Sequence, residues 1–463
     1  MKKFVSTIKS LFSKDFLRVM LPLALPIALQ NLLMSSLQLV DTLMVGQLGE
    51  DAISAVGSAG RIANFTNVIL FGFASGGAVF LAQYWGSGGH DKMRRTYGLI
   101  LLCDLPIAIV FAVCCMLYPE SIMRILTNDA AMISNGAEYL RIACISYFGL
   151  ALSQTFSTVL RCTEEVKLPL MASCCSVAAN AVLNYVLIFG KLGLPALGIK
   201  GAAIATAASA LINPLVLFAA SALKKNILLS SIREMLSFDL RFVKQFFVRA
   251  LPVVANEAIW IIGTTGYDMV FGRMGSDNYS ALTIFRTLEG ISYTIFIGIC
   301  NACNVMVGKA IGEGDHKKAV EYAHRFMILV PILGLGVGLI AISLSDPILS
   351  LFALTPGVHN TAKLLILIFG IEVGIRNIPY ISVVGIFRAG GDTKTGMRYD
   401  GPILYFFALP LTAVCGLVFK LDFVLVYIIM ILSEDLIKNF LCIRRVLSKK
   451  WIMPVEGLRQ AGE

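Results

Sequence analysis

The sequence predicts an all-α membrane protein: twelve transmembrane helices in two six-helix lobes, related by pseudo-twofold symmetry along the membrane normal. Three observations predict it. Hydrophobic residues make up 57% of the 463, and the mean hydropathy of +0.79 lies well outside the range of soluble globular chains. Uncharged apolar runs long enough to cross a bilayer recur along the chain, beginning with residues 19–40. The second half of the chain also repeats the first.

The repeat is read directly from the residues. A shift of 226 residues, without a gap, superposes LPIALQN (25–31) on LPVVANE (251–257). The same shift carries Gly46 to Gly272, Gly49 to Gly275, Asp51 to Asp277, Gly72 to Gly298, Gly86 to Gly312, His90 to His316 and Lys92 to Lys318. After a one-residue insertion, LRCTEEVK (160–167) matches FRAGGDTK (387–394). Pro and Gly answer specific backbone needs, so their coincidence at one register marks a duplication.

The apolar periodicity predicts helices over 17–46, 53–84, 95–118, 131–160, 168–190, 199–222, 244–272, 279–310, 320–345, 358–387, 396–418 and 422–444. Each copy therefore holds six, an even number, so both copies enter the membrane from the same side and the repeats are parallel. The lobes are 1–223 and 244–463, the second ending in a basic cytoplasmic tail, with a polar cytoplasmic linker over 224–243. Two bundles related in this way leave a central cleft, and alternating access then means rocking one bundle against the other. The turns GQLGED and GRMGSD fall outside; GSGGHDKMRR and GEGDHKKA fall inside. Neither inside turn is a phosphate cradle, because no strand precedes it and no GK[ST] follows.

Charge fixes the orientation. The chain carries 39 Lys and Arg against 29 Asp and Glu, a formal +10. With the N-terminus in the cytoplasm, the loops on the opposite side hold only Arg124, Lys191, Lys200, Arg273 and Lys420. That is the positive-inside asymmetry of a multi-pass protein of the bacterial cytoplasmic (inner) membrane with both termini cytoplasmic, and it argues against a nucleic-acid partner. No small-residue cleavage site follows the first apolar run, which reads as an uncleaved span. Eleven cysteines, among them Cys114, Cys115, Cys174, Cys175, Cys300 and Cys303, lie in apolar segments and are expected to pack as small hydrophobes.

The polar residues inside the spans locate the chemistry. At 100° per residue, Gln30, Met34, Gln38 and Asp41 share a narrow sector of the first helix, and Glu257, Trp260, Thr264 and Asp268 share one of the seventh. An ionised Asp in a spanning helix costs roughly 2.5–3.5 kcal/mol, so such a residue faces protein or a wet cavity. A carboxylate in low dielectric takes up a proton, while a wetter, oxygen-rich setting favours Na⁺. Asp41 and Glu257 are thus candidates for cation or proton coupling, with possible Na⁺ at either as the one metal to consider; the alternative is a structural carboxylate neutralised by a neighbour, and the same choice applies to Asp268. Pro26 and Pro252, at equivalent places, each remove an amide donor and make either a hinge or a static kink. Ser173, Ser176, Asn180 and Asn184 on the fifth helix, with Thr206 on the sixth, either line the cavity or tie helices together. Glu372 with Arg376, and Arg286 with Glu289, are spaced to pair and cancel.

These residues carry a family resemblance. The twelve-helix duplicated plan, Pro26 with the VDTLMVGQLG segment, LPVVANEAIW, LGIKGAAIAT and FRAGGDTKTG resemble the multidrug and toxin extrusion (MATE) family, bacterial NorM/DinF-like, from about Leu17 to Arg445. By that resemblance Asp41 matches the helix-1 acid and Glu257 the helix-7 acid of the NorM-type branch. Asn180, Asn184 and Thr206 match a polar set of the DinF-type branch, which commonly has Asp where Asn184 stands. NorM-type members tend to have an Asp eleven residues before the Arg of the FRAGGDTK-like signature; here that position is Asn377, which leaves the branch mixed.

The resemblance implies a secondary antiporter that exports cationic or amphiphilic organic compounds in exchange for H⁺ or Na⁺ by rocker-switch alternating access. It would work without a cofactor, as a monomer in the lipid bilayer, on a small-molecule organic substrate. A flippase for a lipid-linked precursor, within the same superfamily, is the alternative. An enzyme is not expected: HExxH and GxSxG are missing, and the four histidines, His90, His316, His324 and His359, fall in loops or at helix ends.

Overall fold

A computed structural model describes residues 13–350 and 354–456. Each predicted helix has a counterpart: α1 (Lys14–Gly46), α2 (Glu50–Gly86), α3 (His90–Leu117), α4 (Ala130–Ala143 and Ser146–Cys162), α5 (Lys167–Phe189) and α6 (Ile199–Lys224) in the first repeat. The second repeat supplies α7 (Leu240–Gly272), α8 (Ser276–Gly312), α9 (His316–Ser343), α10 (Pro356–Gly390), α11 (Thr393–Val418) and α12 (Phe423–Leu447). Among the described residues, ten helices are long and apolar enough to cross a bilayer, and the bent α4 makes an eleventh. The chain is a multi-pass membrane protein. α12 has the length of a span but interrupts its apolar run with Glu434, Asp435 and Lys438. The first twelve residues, with Lys2, Lys3 and Lys9, and residues 457–463 of the basic tail lie outside the described residues.

α4 departs from the single helix expected over 131–160. It bends by 50° at Cys144–Ile145. There the thiol of Cys144 donates to the carbonyl of Arg141 at 3.2 Å, and the backbone ladder tightens to three-residue bonds, Ile145 to Ile142 and Tyr147 to Cys144. α10 carries a wide π-turn over Ile381–Phe387, directly after Pro379, whose missing amide already breaks the α-ladder. The repeat register slips by one residue between Lys318 and Phe387, an interval that contains this turn. In the linker, Ser231 and Glu234 form a capping box around Ile232–Met235; the bonds from Ser231, its backbone amide first, hold the Glu234 carboxyl below the usual carboxylate range.

By contacts the chain forms two compact units. One joins Met1–Ala28, Ala82–Gly88 and Ala255–Glu463; the other joins Leu29–Leu81 and Gly89–Val254. α1 and α7 thus change unit at equivalent places, each two residues past a proline, Pro26 or Pro252.

The repeated glycines explain the assignment. In the second unit, a Cβ on Gly72 of α2 would stand 2.9 Å from the Cα of Val254, and one on Gly76 2.6 Å from that of Ala250. In the first unit, Gly298 of α8 meets α1 in the same way: its Cβ would lie 2.7 Å from the carbonyl oxygen of Ala24 and 2.8 Å from the Cβ of Ala28. Ala24 and Ala28 are the repeat equivalents of Ala250 and Val254, so one close helix crossing is built twice. Gly86 and Gly312 are likewise reciprocal, each Cβ falling 3.0 Å from a Cα, of Lys309 and Gln83 respectively.

Beyond α12 the chain folds back within its unit. Trp451 is fully buried, Met453 donates to the carbonyl of Gly390 at 2.7 Å, and the amide of Val455 donates to Oε1 of Gln83 at 2.8 Å.

Candidate functional site

The intramembrane polar residues gather into separate clusters, two in the second unit and two in the first. In the second unit Asp41 of α1 meets α5. The amide nitrogen of Asn184 donates to Oδ1 of Asp41 and, at 2.8 Å, to Oδ1 of Asn180. Asn180 donates onward to Oγ of Ser209 at 3.1 Å, and Ser209 donates to the carbonyl of Thr206 at 3.1 Å. The Thr206 hydroxyl stands 3.4 Å from that of Tyr139. Asp41 is half-buried and has no cationic partner among the described residues, while Oδ1 of Asn184 is buried without a hydrogen bond. A carboxylate beside unused amide oxygen is a donor set that can take a proton or a hard cation.

Gln30, expected on the same stripe, belongs instead to a second cluster. Its Oε1 accepts from Nη2 of Arg161 at 2.7 Å and its Nε2 donates to Oγ of Ser173 at 3.1 Å. Nδ2 of Asn213 donates to that same hydroxyl at 3.4 Å. Met34 and Gln38 are exposed. The shared sector is therefore divided: a long side chain at its lower end reaches α4 and α5, and the middle is exposed.

In the first unit Glu257 of α7 is ion-paired, 2.6 Å from Nη2 of Arg388 at the end of the π-turn segment. The neighbouring Asn256 donates to Asp400 at 2.7 Å, Asp400 accepts from Lys438 at 2.9 Å, Lys438 reaches Glu434 at 2.7 Å, and the hydroxyl of Tyr267 donates to Glu434 at 2.9 Å. These acids and bases are each matched at short range, which offsets part of the cost of removing them from water. Trp260 is exposed and Thr264 donates only to carbonyls of its own helix, at Trp260 and Ile261.

The other cluster of this unit corrects a pairing. Glu372 does bond Arg376, at 3.1 Å, but Arg286 reaches back to Asp268 and Glu289 pairs with Arg376 at 3.0 Å. On α8 the three-residue spacing of Arg286 and Glu289 is overridden because each finds an opposite charge on another helix. Asn377 is fully buried; its Nδ2 donates to the carbonyl of Val373, and its Oδ1 has no partner.

Sequence reasoning missed Arg161, Tyr139, Ser209, Tyr267, Asp400, Glu434 and Lys438. The signal for the last three was present, as charges inside predicted spans. Asp104, fully buried on α3 and bonded to Thr155 at 2.9 Å, was also passed over. The eleven cysteines are all free; Cys300 and Cys303 are buried, but Cys114, Cys174 and Cys175 are exposed rather than packed. No group of three metal-ligating side chains occurs among the described residues.

Comparison with known proteins gives one family. The MatE family model matches twice, over residues 26–186 and 252–414, starting points 226 residues apart like the repeat itself. The chain is 24% identical to the probable multidrug resistance protein NorM of Thermotoga maritima, covering 93% of this chain and 92% of that one. It is 26% identical to a probable NorM of Mesorhizobium japonicum, covering 85% and 86%. Among solved structures, a MATE in the bent conformation aligns with a TM-score of 0.84 at 15% identity over 93% of this chain and 96% of that one. The eukaryotic MATE transporter AtDTX14 aligns at 0.80 and 20% identity, over 96% and 98%.

Proposed function

This chain belongs to the MatE family, and on that premise we propose that it is a secondary antiporter exporting cationic or amphiphilic organic compounds in exchange for H⁺ or Na⁺. As a transporter of this family it is not an enzyme and needs no cofactor. The observation that carries the proposal is the setting of Asp41: a half-buried carboxylate whose bonded neighbour is the neutral amide of Asn184. A carboxylate without a fixed counter-charge gains most from taking up a cation. Asn180, Asn184 and Thr206 support that ion, and the names of the relatives support organic drugs as cargo.

Glu257 takes part differently. Its charge is held by Arg388, and it becomes available to a cation when that pair opens. Met34, Gln38, Trp260 and Thr264 contribute to the substrate path, Asp268 and Asn377 to its second-repeat end. The lobes 1–223 and 244–463 rock about Pro26 and Pro252. The protein works as a monomer in the bacterial inner membrane, both termini cytoplasmic.

The test is transport in proteoliposomes with an imposed H⁺ or Na⁺ gradient and a panel of organic cations. Gradient-driven uptake by the wild type and its loss in Asp41→Asn are expected. Equal uptake with and without a gradient, or full transport by Asp41→Asn, overturns the proposal.

A further inference from the structure

The two repeats build the same four-cornered polar cluster, and they fill it with opposite electrostatics. Arg161 corresponds to Arg388, Gln30 to Asn256 and Ser173 to Asp400 under the repeat register. Asn213 of α6 stands at the corner that Lys438 of α12 fills, each bonded to the residue at the Ser173 or Asp400 corner. The bonds correspond as well. Gln30 donates to Ser173 as Asn256 donates to Asp400, and Asn213 donates to Ser173 as Lys438 does to Asp400.

The difference is charge. In the second repeat Arg388 is closed by Glu257 and Lys438 by Asp400 and Glu434. In the first repeat the corresponding partners are neutral, Asn31 standing at the register of Glu257, and Arg161 alone keeps its charge. Arg161 has no ion-pair partner among the described residues; Nη2 is taken by Gln30, and Nε is buried without a hydrogen bond. Ser173 accepts twice, from Gln30 and Asn213, and its own hydroxyl hydrogen remains available. The cluster therefore holds a positive charge and spare donors, enclosed by Gln30, Ser173 and Asn213, which are all buried. Arg161 is half-buried; a guanidinium partly withdrawn from water without an anion carries a cost, and its planar fork fits an oxyanion.

We propose that Arg161, with Gln30 and Ser173, forms an oxyanion-binding site in the first repeat, taking a phosphate-type group from a free anion or a lipid headgroup in the place that Glu257 fills in the second. The site is independent of the coupling role of Asp41, since it is read by binding rather than by transport. The full chain is reconstituted in phosphatidylcholine nanodiscs, and inorganic phosphate is titrated against chloride at constant ionic strength while the unfolding midpoint is followed. A second arm replaces part of the lipid with phosphatidylglycerol. A saturable rise of the midpoint is expected in the wild type, and its loss in Arg161→Gln and in Asn31→Glu, where an internal carboxylate takes the anion's place. A rise with phosphate assigns the site to a free anion, and a rise with phosphatidylglycerol alone assigns it to a headgroup. No rise in the wild type, or the same rise in Asn31→Glu, overturns the proposal, and Asn31→Glu decides the matter if Arg161→Gln does not fold.

Discussion

Nη2 of Arg388 stands 2.6 Å from Oε1 of Glu257, with only 3% of the arginine side chain exposed. A charge pair this enclosed is a unit: losing one member strands the other in low dielectric. Glu257→Gln should therefore destabilise by about 3–5 kcal/mol, whereas Glu257→Gln with Arg388→Gln should recover much of the loss. Denaturant unfolding of the four proteins in one detergent gives the cycle. Additive effects would mean that the pair is not what holds α7 to α10.

Asp41 should behave in the opposite way. Asparagine at this position still offers an oxygen to the Asn184 amide, so Asp41→Asn should change stability by no more than about 1 kcal/mol. Transport should be lost. A variant that unfolds outright would show instead that the carboxylate is structural.

The reciprocal glycines give a packing test. A methyl group at Gly312 would press on the backbone of Gln83, and Gly312→Ala should cost about 1–3 kcal/mol by overpacking. Gly57, on α2, meets nothing within 4 Å, and Gly57→Ala should be stabilising by up to about 1 kcal/mol. Thermal unfolding of both in the same lipid compares them directly; equal midpoints would refute the close crossing.

Pro26→Ala and Pro252→Ala restore a missing amide donor in α1 and α7. Both should raise or preserve stability, since proline inside a helix costs about 3 kcal/mol. If the prolines are hinges, transport should fall while binding of an organic cation persists. Wild-type transport rates in both variants would make them static features of the helices.

Much of this protein was legible before any fold was seen. The apolar runs gave twelve helices, and the glycine and proline coincidences gave the duplication, because membrane helices and close backbone crossings leave marks in local composition. Gly72 with Gly298, and Gly86 with Gly312, were legible as a pattern and acquired a cause only when each was found against the backbone of another helix. Asp41 with Asn180 and Asn184 was foreseeable as a set only through the family resemblance, since periodicity places them on two different helices and says nothing of their meeting.

What the sequence by itself determined is the inventory: spans, repeat, and which spans carry charge. Only the tertiary structure decided the pairings. Glu257 with Arg388, Asp400 with Lys438, and Asp268 with Arg286 join helices far apart in the chain or break a nearer spacing, and in low dielectric the nearest opposite charge in space outweighs the nearest in sequence. Arg161, bonded to neutral Gln30 and without an ion-pair partner among the described residues, differs from Arg388 because neutral residues stand where the second repeat has Glu257 and Asp400.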